Sequence, residues 1–275
     1  MMIDVVIPIH NQTGNIDKIL TGLKQQTLKP NAVHLIMDRT EPVPDSQFAN
    51  CEFEVTQTSF YPGESQKRHE GFHAGSARNV GIDISLERGV DVIVMIDGDC
   101  VPQSRLIEGH ALMCGRSIPV LSCGRRREKK YGWKDQREMM SDLTNAGFFS
   151  REIIINDPEL LRKCLVVWSC NIAMNVKAVV RTKEFNRKYY GVPEVFSSAF
   201  DGGWGGEDSF LGIEAWMSRT FIAVNHIASV EHIDHPRIPD DIAIKHKKLF
   251  ESMLDDIRKK SFAIPLGLDF FTSVQ

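Results

Sequence analysis

The hydrophobic positions along the chain form two kinds of segment that alternate. Continuous apolar, β-branched runs at residues 3–9, 32–38 and 90–97 are typical of strands that are buried on both faces. Residues 15–26 instead repeat apolar side chains every three to four positions, and residues 76–89 form a second helical segment. This alternation of strand and helix predicts an α/β domain with a mostly parallel central sheet flanked by helices.

The second half of the chain continues the pattern, apart from one strongly charged stretch. Residues 125–142 have weak apolar periodicity, and we interpret them as a mobile loop or an exposed helix. From Asp240 we expect an amphipathic helix followed by a short apolar tail. The other predicted elements are strands at 53–57, 117–124 and 165–174, an apolar run at 220–233, and helices from Pro102 onwards, near 158–164 and after the glycine-rich segment at 201–208.

The composition is that of an ordinary globular protein. With 275 residues, of which 42% are hydrophobic and 25% charged, the chain can bury a sizeable core. A formal net charge of −3 gives no global electrostatic reason to bind nucleic acid or an anionic membrane, so such a partner would need a local basic patch.

The chain shows no sign of a secreted or membrane-spanning protein. The N-terminus has no basic segment before its short apolar run, which argues against a signal peptide, and no apolar run is long enough to predict a transmembrane segment. The six cysteines contain no CxxC pair and fall mostly within apolar runs, which favours buried free thiols in a reducing compartment. We therefore expect a cytoplasmic location.

The segment MIDGDC places two carboxylates at the end of a buried strand. Asp97 and Asp99 are two residues apart, and Gly98 lets the backbone turn sharply between them. An ordinary Asp-Gly turn is the plain alternative. Because the acids follow five apolar residues, where a charge is costly without a counter-ion, a site for Mg²⁺ or Mn²⁺ is favoured.

Two further segments bear on this candidate site. VEHIDHP contributes His232 and His235, which a strand would point to opposite faces, so one of them at most is expected to join the aspartates. An imidazole beside carboxylates suits Mn²⁺ better than calcium. HAGSARNVG is a small-residue turn that runs into a helix, where backbone N–H groups and Arg78 can bind a phosphate.

The segment DGGWGGED ends on two adjacent acids at the start of a predicted helix. Taken together, VVIPIHN, GSARNVG, DGD and GGWGGED occur in the order found in family 2-like glycosyltransferases of the GT-A fold. GGWGGED also resembles a segment of the β4-galactosyltransferases and of the polypeptide N-acetylgalactosaminyltransferases. VEHIDHP resembles the histidine element that follows in the polypeptide N-acetylgalactosaminyltransferases. The resemblance covers residues 3 to about 237, and its specificity lies in the order and spacing of the motifs.

This resemblance implies a nucleotide-binding half at about 1–100 and an acceptor-binding half at about 101–239, in one domain of residues 1–239 on which residues 240–275 pack. It also implies a metal held by Asp99, Asp97 and His232, with Asp208 as the general base and Glu207 as a ligand of sugar hydroxyls. The residues that it places along the nucleotide sugar are Pro8, His10, Asn11, Asp38, Arg78, Asn79, Asp97, Gly98, Trp204, Gly205 and Gly206.

The implied activity is transfer of a sugar from a nucleotide sugar, with UDP the expected nucleotide, to an acceptor hydroxyl, with inversion and with Mn²⁺ or Mg²⁺. Two positions depart from the family pattern, since Arg39 stands where a second acid is common and His10 where an aromatic is common. A metal-dependent hydrolase and a non-catalytic nucleotide-sugar-binding module are the alternatives. A hydrolase leaves GGWGGED and GSARNVG without a role, and the intact Asp99 and Asp208 argue against a binding module.

The acceptor is expected to be a glycan. The basic and aromatic side chains at residues 125–133 leave a second possibility open, transfer onto modified bases in DNA, because such a patch can track a phosphate backbone. A solvated, non-binding face is the plain alternative for this stretch.

Overall fold

The computed structural model describes residues 1–61, 71–128, 132–134, 167–202, 205–234 and 247–256. The strands in these ranges are β1 (Ile3–Ile9), β2 (Ala32–Asp38), β3 (Glu54–Phe60), β4 (Val92–Ile96), β5 (Cys100–Pro102), β6 (Val120–Glu128), β7 (Gly132–Lys134), β8 (Asn171–Asn175) and β9 (Phe221–His232). The α-helices are α1 (Ile16–Lys24), α2 (Ala74–Glu87), α3 (Leu106–Cys114), α4 (Val176–Tyr190) and α5 (Glu207–Met217), and residues 247–256 are also helical. Short 3₁₀ turns lie at Thr13–Asn15, Asp45–Phe48 and Ser198–Phe200.

All of these strands belong to one mixed sheet. Its order is β3-β2-β1-β4-β8-β6-β9-β5, and β7 pairs with β6. The four strands from β3 to β4 are parallel, whereas β8 runs antiparallel to both of its neighbours and β5 antiparallel to β9. The prediction of a mostly parallel sheet is therefore wrong in its second half. An apolar run shows that a strand is buried on both faces, but it does not give the direction of the strand.

The sheet is covered on both faces. Val5 packs in a core with α1 and α3, whereas its neighbour Val6 points to the other side, where α2, α4 and α5 pack. The strands β1, β2 and β4 are buried along their whole length, as the continuous apolar runs predict. This α/β arrangement holds the ends of β1 and β4 at one edge of the parallel half of the sheet.

Several element boundaries differ from those predicted. The helix expected from Pro102 onwards begins at Leu106, because residues 100–102 form the short strand β5. The charged stretch expected to be a loop or a helix begins as a continuation of β6 up to Glu128. Helix α4 was not predicted from the sequence, because charged residues interrupt its apolar face.

Some predictions fall outside the described residues. They include the helix near 158–164, His235, Trp204, and most of the segment that follows Asp240. Among the described cysteines, all five are free thiols and four of them are buried, in line with the sequence. No helix in the described ranges is both long enough and apolar enough to cross a bilayer.

Candidate active site

Three of the predicted motifs, GSARNVG, DGD and GGWGGED, contribute residues to one cavity of about 240 Å³. The cavity lies where β4 ends and where α2 and α5 begin, beyond the carboxyl end of a parallel strand, as is usual for ligand sites in α/β folds. Its lining residues are Phe72, Ala74, Arg78, Asp97, Arg126, Trp168, Ser169, Cys170, Gly205, Glu207 and Asp208.

Arg78 ties three elements together at the base of this cavity. The side chain is almost completely buried, and its guanidinium donates to Asp97 Oδ1 at 2.5 Å and to Glu207 Oε1 at 3.4 Å. The guanidinium also lies over the Phe196 ring, 5.2 Å from its centroid. A buried cation needs such partners, so Arg78 fixes the end of β4 and the start of α5 relative to α2.

Asp208 differs from its neighbour Glu207 in its hydrogen-bond partners. Its carboxylate accepts from the backbone N–H of Ser209 at 2.6 Å and from that of Ser169 at 3.4 Å. Desolvation, and then the negative charge of Glu207, raise the pKa of Asp208 to about 7. A carboxylate with this pKa on a cavity wall has the basicity that a general base needs near neutral pH.

The glycine-rich segment before α5 adopts backbone conformations that residues with a side chain rarely adopt. Gly205 and Gly206 have φ angles of +83° and +103°, in the left-handed region. A Cβ on Gly206 would also lie 2.7 Å from the Phe200 ring. The glycines are therefore required for the turn that brings Glu207 and Asp208 to the cavity.

Asp201, at the start of this segment, was not assigned a role from the sequence. It is 6% exposed, its carboxylate accepts from the backbone N–H and the hydroxyl of Ser76 in α2, and burial raises its pKa to about 6. The only local signal was an acid directly before a run of glycines.

Two of the three predicted metal ligands lie side by side. Asp99 Oδ2 is 3.6 Å from His232 Nε2, because Cys100 on β5 is paired with His232 on β9. Two neighbouring ligands of a divalent ion, each about 2.1 Å from it, are separated by about 3 Å, so this pair fits such an ion after a small adjustment. Asp97 faces Arg78 instead, and the described ranges contain no group of three or more His, Cys, Asp and Glu side chains arranged to hold a metal.

Gly98 keeps the two aspartates close to β1. A Cβ at this position would lie 2.7 Å from Gln12 Oε1 and 3.1 Å from the carbonyl oxygen of Pro8. Gln12 in turn donates from its amide to Asp99 Oδ2 at 3.2 Å. The turn between Asp97 and Asp99 is thus packed against the end of β1, where the sequence placed the nucleotide.

A second cluster lies at the ends of β1 and β2. His10 stacks on Phe72 with ring centroids 5.3 Å apart, and its Nδ1 lies 3.4 Å from Asp38 Oδ2. Asp38 also accepts from the backbone N–H of His73 at 2.8 Å. The hydrogen bond with Asp38 raises the pKa of His10 despite partial burial of the ring. Asp38 is fully buried among these partners, and its contact with the nucleotide sugar stays a prediction.

The other predicted nucleotide-binding residues are placed as follows. Asn11 has a left-handed φ of +56° and its backbone N–H donates to Thr40 Oγ1 at 3.0 Å. The amide of Asn79 holds the backbone of Val195 and Phe196, and neither Asn11 nor Asn79 lines the cavity. Their ligand contacts also stay predictions.

The basic stretch does not form one continuous face where the structure describes it. Successive side chains of a strand point to opposite sides, so Arg126 lines the cavity while Arg125 and Arg127 point away from it. Arg126 lies over the Trp168 ring at 5.3 Å and pairs with Glu128. Sequence reasoning missed Trp168 and Ser169 in the cavity wall, because only the fold brings them beside Asp208.

Comparison with known proteins identifies the fold but not a family. No protein-family model matches the chain, and no curated protein does. Residues 1–349 of TarS from S. aureus, crystallised with UDP-GlcNAc, superpose with a TM-score of 0.58 at 13% identity, over 86% of this chain and 60% of that one. The same region of TarS crystallised with UDP gives a TM-score of 0.58 at 13% identity, over 100% of this chain and 76% of that one.

The chain thus spans less than two thirds of the TarS fragment in the UDP-GlcNAc complex. At this level of identity the likeness shows a shared fold. The described architecture is a GT-A-like α/β fold, as the sequence resemblance implies.

Proposed function

We propose that the protein is a glycosyltransferase that moves a sugar from a UDP-linked donor to the hydroxyl of a glycan acceptor, with inversion. The observation that carries the proposal is the position of Asp208. This carboxylate, with a pKa near 7, lines the same cavity as Arg78 and Asp97, next to the turn that bears Asp99. The fold shared with TarS, which was crystallised with UDP-GlcNAc, supports a nucleotide-sugar donor.

Asp208 would act as the general base. As the acceptor oxygen attacks the anomeric carbon, its proton passes to the Asp208 carboxylate, and the bond between the anomeric carbon and the diphosphate oxygen breaks. A single base that activates an external hydroxyl on the face opposite the leaving group gives inversion. The backbone N–H groups of Ser169 and Ser209 orient the carboxylate for this step.

Glu207 and Arg78 would position the donor rather than exchange protons. Arg78 donates to Oε1 of Glu207, so that the second oxygen of this carboxylate can accept hydrogen bonds from sugar hydroxyls. Because Arg78 also pairs with Asp97, it keeps Asp97 and Glu207 in a fixed arrangement relative to each other.

Asp99 and His232 are the residues that would hold a divalent cation, and an oxygen and an imidazole ligand together suit Mn²⁺ well, with Mg²⁺ as the alternative. When bound, such an ion neutralises charge on the diphosphate leaving group. The chain contributes the fixed geometry of this pair, through the β5–β9 pairing and the amide of Gln12.

A glycan acceptor is favoured over DNA. Of the arginines at the end of β6, only Arg126 reaches the cavity, and Glu128 already pairs with it. Strand alternation places Arg125 and Arg127 on the face of β6 opposite to Arg126, so these two cations do not continue a basic surface into the cavity.

The proposal is tested by incubating the protein with a panel of UDP-, GDP- and dTDP-linked sugars, Mn²⁺ and a glycan array. We expect transfer from one or more UDP-sugars, and a product whose anomeric configuration, determined by NMR, is opposite to that of the donor. Release of free sugar at the same rate with and without acceptor would indicate a hydrolase. Binding of nucleotide without any turnover would indicate a binding module, and either result would overturn the proposal.

A further inference from the structure

The acid that precedes the glycines is attached to the helix that carries Arg78. Asp201 Oδ1 accepts from the backbone N–H of Ser76 at 3.3 Å, and Asp201 Oδ2 accepts from the Ser76 hydroxyl. Asp201 is 6% exposed and Ser76 9% exposed. The backbone N–H of Gly202 also donates to the carbonyl of Phe72 at 3.0 Å. Three hydrogen bonds therefore join the start of the glycine-rich segment to residues 72–76.

Asp201 supplies an acceptor that the first turn of α2 otherwise lacks. The helix begins at Ala74, and His73 at its N-cap makes no side-chain capping bond. The N–H groups of a first helical turn have no partner within the helix, and they favour a negative charge. Asp201, which lies 125 residues further along the chain, supplies this negative charge and accepts a hydrogen bond from the backbone N–H of Ser76.

The N-terminal part of α2 also contacts the other end of the glycine-rich segment, where α5 begins. Arg78, two residues after Ser76, contacts Glu207, the first residue of α5. Between these two anchors Gly202, Gly205 and Gly206 have positive φ angles, and glycine backbones are intrinsically free to change conformation. The anchors at Asp201 and Glu207, rather than the glycines, therefore fix where α5 begins.

We infer that Asp201 is a positioning residue for Asp208, acting through the bond to Ser76 that sets the start of α5. Asp201 does not line the cavity, and both of its carboxylate oxygens are engaged with Ser76, so it is not itself an acid or a base in the reaction. The kinetic part of this inference rests on the proposed transferase function, whereas the structural part does not.

The kinetic test compares Asp201→Ala, Asp201→Asn and Ser76→Ala with the wild type. In Asp201→Ala we expect kcat to fall by about 10- to 100-fold with a smaller change in the donor KM, because misplacing a catalytic group by about 1 Å has effects of this size. Asp201→Asn should recover most of the activity, since its carbonyl can accept from the Ser76 N–H and its amide can donate to the Ser76 hydroxyl. Adding Ser76→Ala to Asp201→Ala should cause no further loss, because the two side chains act as one contact.

The control variant is Asp83→Asn. Asp83 lies on the same helix and pairs with Lys183 of α4, away from the glycine-rich segment, so kcat should stay unchanged. The fall of kcat with decreasing pH should persist in Asp201→Ala, because Asp208 remains the group that titrates. A folded Asp201→Ala enzyme with wild-type kcat, or one whose kcat no longer depends on pH, would overturn the positioning role.

A second measurement does not depend on activity. Amide hydrogen exchange followed by mass spectrometry should show faster exchange in peptides covering 201–209 and 72–78 in Asp201→Ala, but not in Asp83→Asn. Unchanged exchange in these peptides would refute the anchor even if the protein proves not to be a transferase. Faster exchange in a protein that transfers no sugar would leave the anchor intact and refute only the proposed function.

Discussion

At the scale of single residues, the two adjacent acids at the start of α5 differ because of their partners. Glu207 contacts the guanidinium of Arg78, whereas Asp208 is held by backbone N–H groups and has a pKa raised to about 7, mainly by desolvation. This difference in partners underlies the proposal that Asp208 takes the proton and that Glu207 binds the sugar.

The pH dependence of turnover follows from the pKa of Asp208. A base is active only when deprotonated, so kcat should be constant above a pH of about 8 and fall about tenfold per pH unit below 7. A kcat profile from pH 5 to 9 with saturating substrates checks this. A profile that falls with rising pH through 7 would contradict the assignment, because it would require a protonated acid.

The same pKa predicts a change in stability. A carboxyl whose pKa is raised by folding makes the folded state bind more protons than the unfolded state between about pH 4 and 7, so stability falls as the pH rises through this window. Asp208→Asn removes the cost of ionising the group, and its Tm at pH 8 should exceed that of the wild type. The two Tm values should converge near pH 4, and a Tm of Asp208→Asn below the wild type at pH 8 would argue against the raised pKa.

The metal ligands give a separate prediction. Asp99→Asn and His232→Ala should each weaken the Mn²⁺-dependent binding of UDP by at least tenfold, because each removes one side of the proposed cation pair. Isothermal titration of UDP with and without Mn²⁺ measures this, with Asp45→Asn, on a distant surface turn, as the control. Equal Mn²⁺ dependence in the wild type and in both variants would place the metal elsewhere.

Candidate site residues can be predicted from the sequence where they stand in short local motifs. Asp97, Glu207 and Asp208 are of this kind, and the structure brings these three to one cavity, whereas their roles stay predictions. Contacts between distant segments could not be predicted, and the bond between Asp201 and Ser76 is one example. Arg126 and Trp168 meet only because β6 and the segment before β8 converge in the folded chain.

At the scale of elements, helix α2 lies unusually close to strand β1. A Cβ on Gly81 would be 2.3 Å from Val6 Cγ1, a distance at which something must shift. This close approach sets the height of α2 above the sheet, and with it the position of Arg78 three residues earlier.

Gly81→Ala should therefore destabilise the protein by about 1–3 kcal/mol, the usual effect of forcing an extra methyl into a packed core. Adding Val6→Ala should relieve part of this strain, so that the double variant is more stable than the sum of the single changes. Gly14→Ala is the matched control, because no atom lies within 4 Å of its Cβ position. Urea denaturation measures all four proteins, and strict additivity would show that the two sites do not clash.

The elements also show what hydrophobic patterns can predict. The strands β1, β2 and β4 could be predicted from uninterrupted apolar runs. A strand that is buried on both faces has no alternation of apolar and polar residues. The direction of β8 could not be read in this way, since its five residues are just as buried as those of a parallel strand. Helix α4 was missed because charged residues interrupt its apolar face, although Ala178, Val179 and Phe185 are buried in the folded chain.

At the scale of the whole molecule, the candidate site lies where the two predicted halves of the chain join. Strand β4 of the first half pairs with β8 of the second, so one sheet runs through both. The cavity takes Arg78 and Asp97 from the first half and Ser169, Glu207 and Asp208 from the second. A ligand in this cavity would therefore bridge both halves.

Ligand binding should accordingly stabilise the entire fold. A ligand that binds only the native state adds about 2.7 kcal/mol when its concentration is 100 times its Kd, which raises the Tm. UDP with Mn²⁺ should produce such a shift, and UDP without Mn²⁺ a smaller one, in a thermal denaturation followed by circular dichroism. Equal shifts with AMP would show that the protein does not select a nucleoside diphosphate.

The central claim, that Asp208 is the base of a sugar transfer, is tested most directly by comparing turnover with binding in Asp208→Asn. Product formation from the preferred UDP-sugar is followed by mass spectrometry, and donor affinity is measured by titration on the same preparation. The account predicts that kcat falls by at least 1,000-fold, on the order expected when an essential base is removed, while the donor Kd stays within about threefold of the wild type. An Asp208→Asn protein that turns over like the wild type, or one that loses donor binding and turnover together, would contradict it.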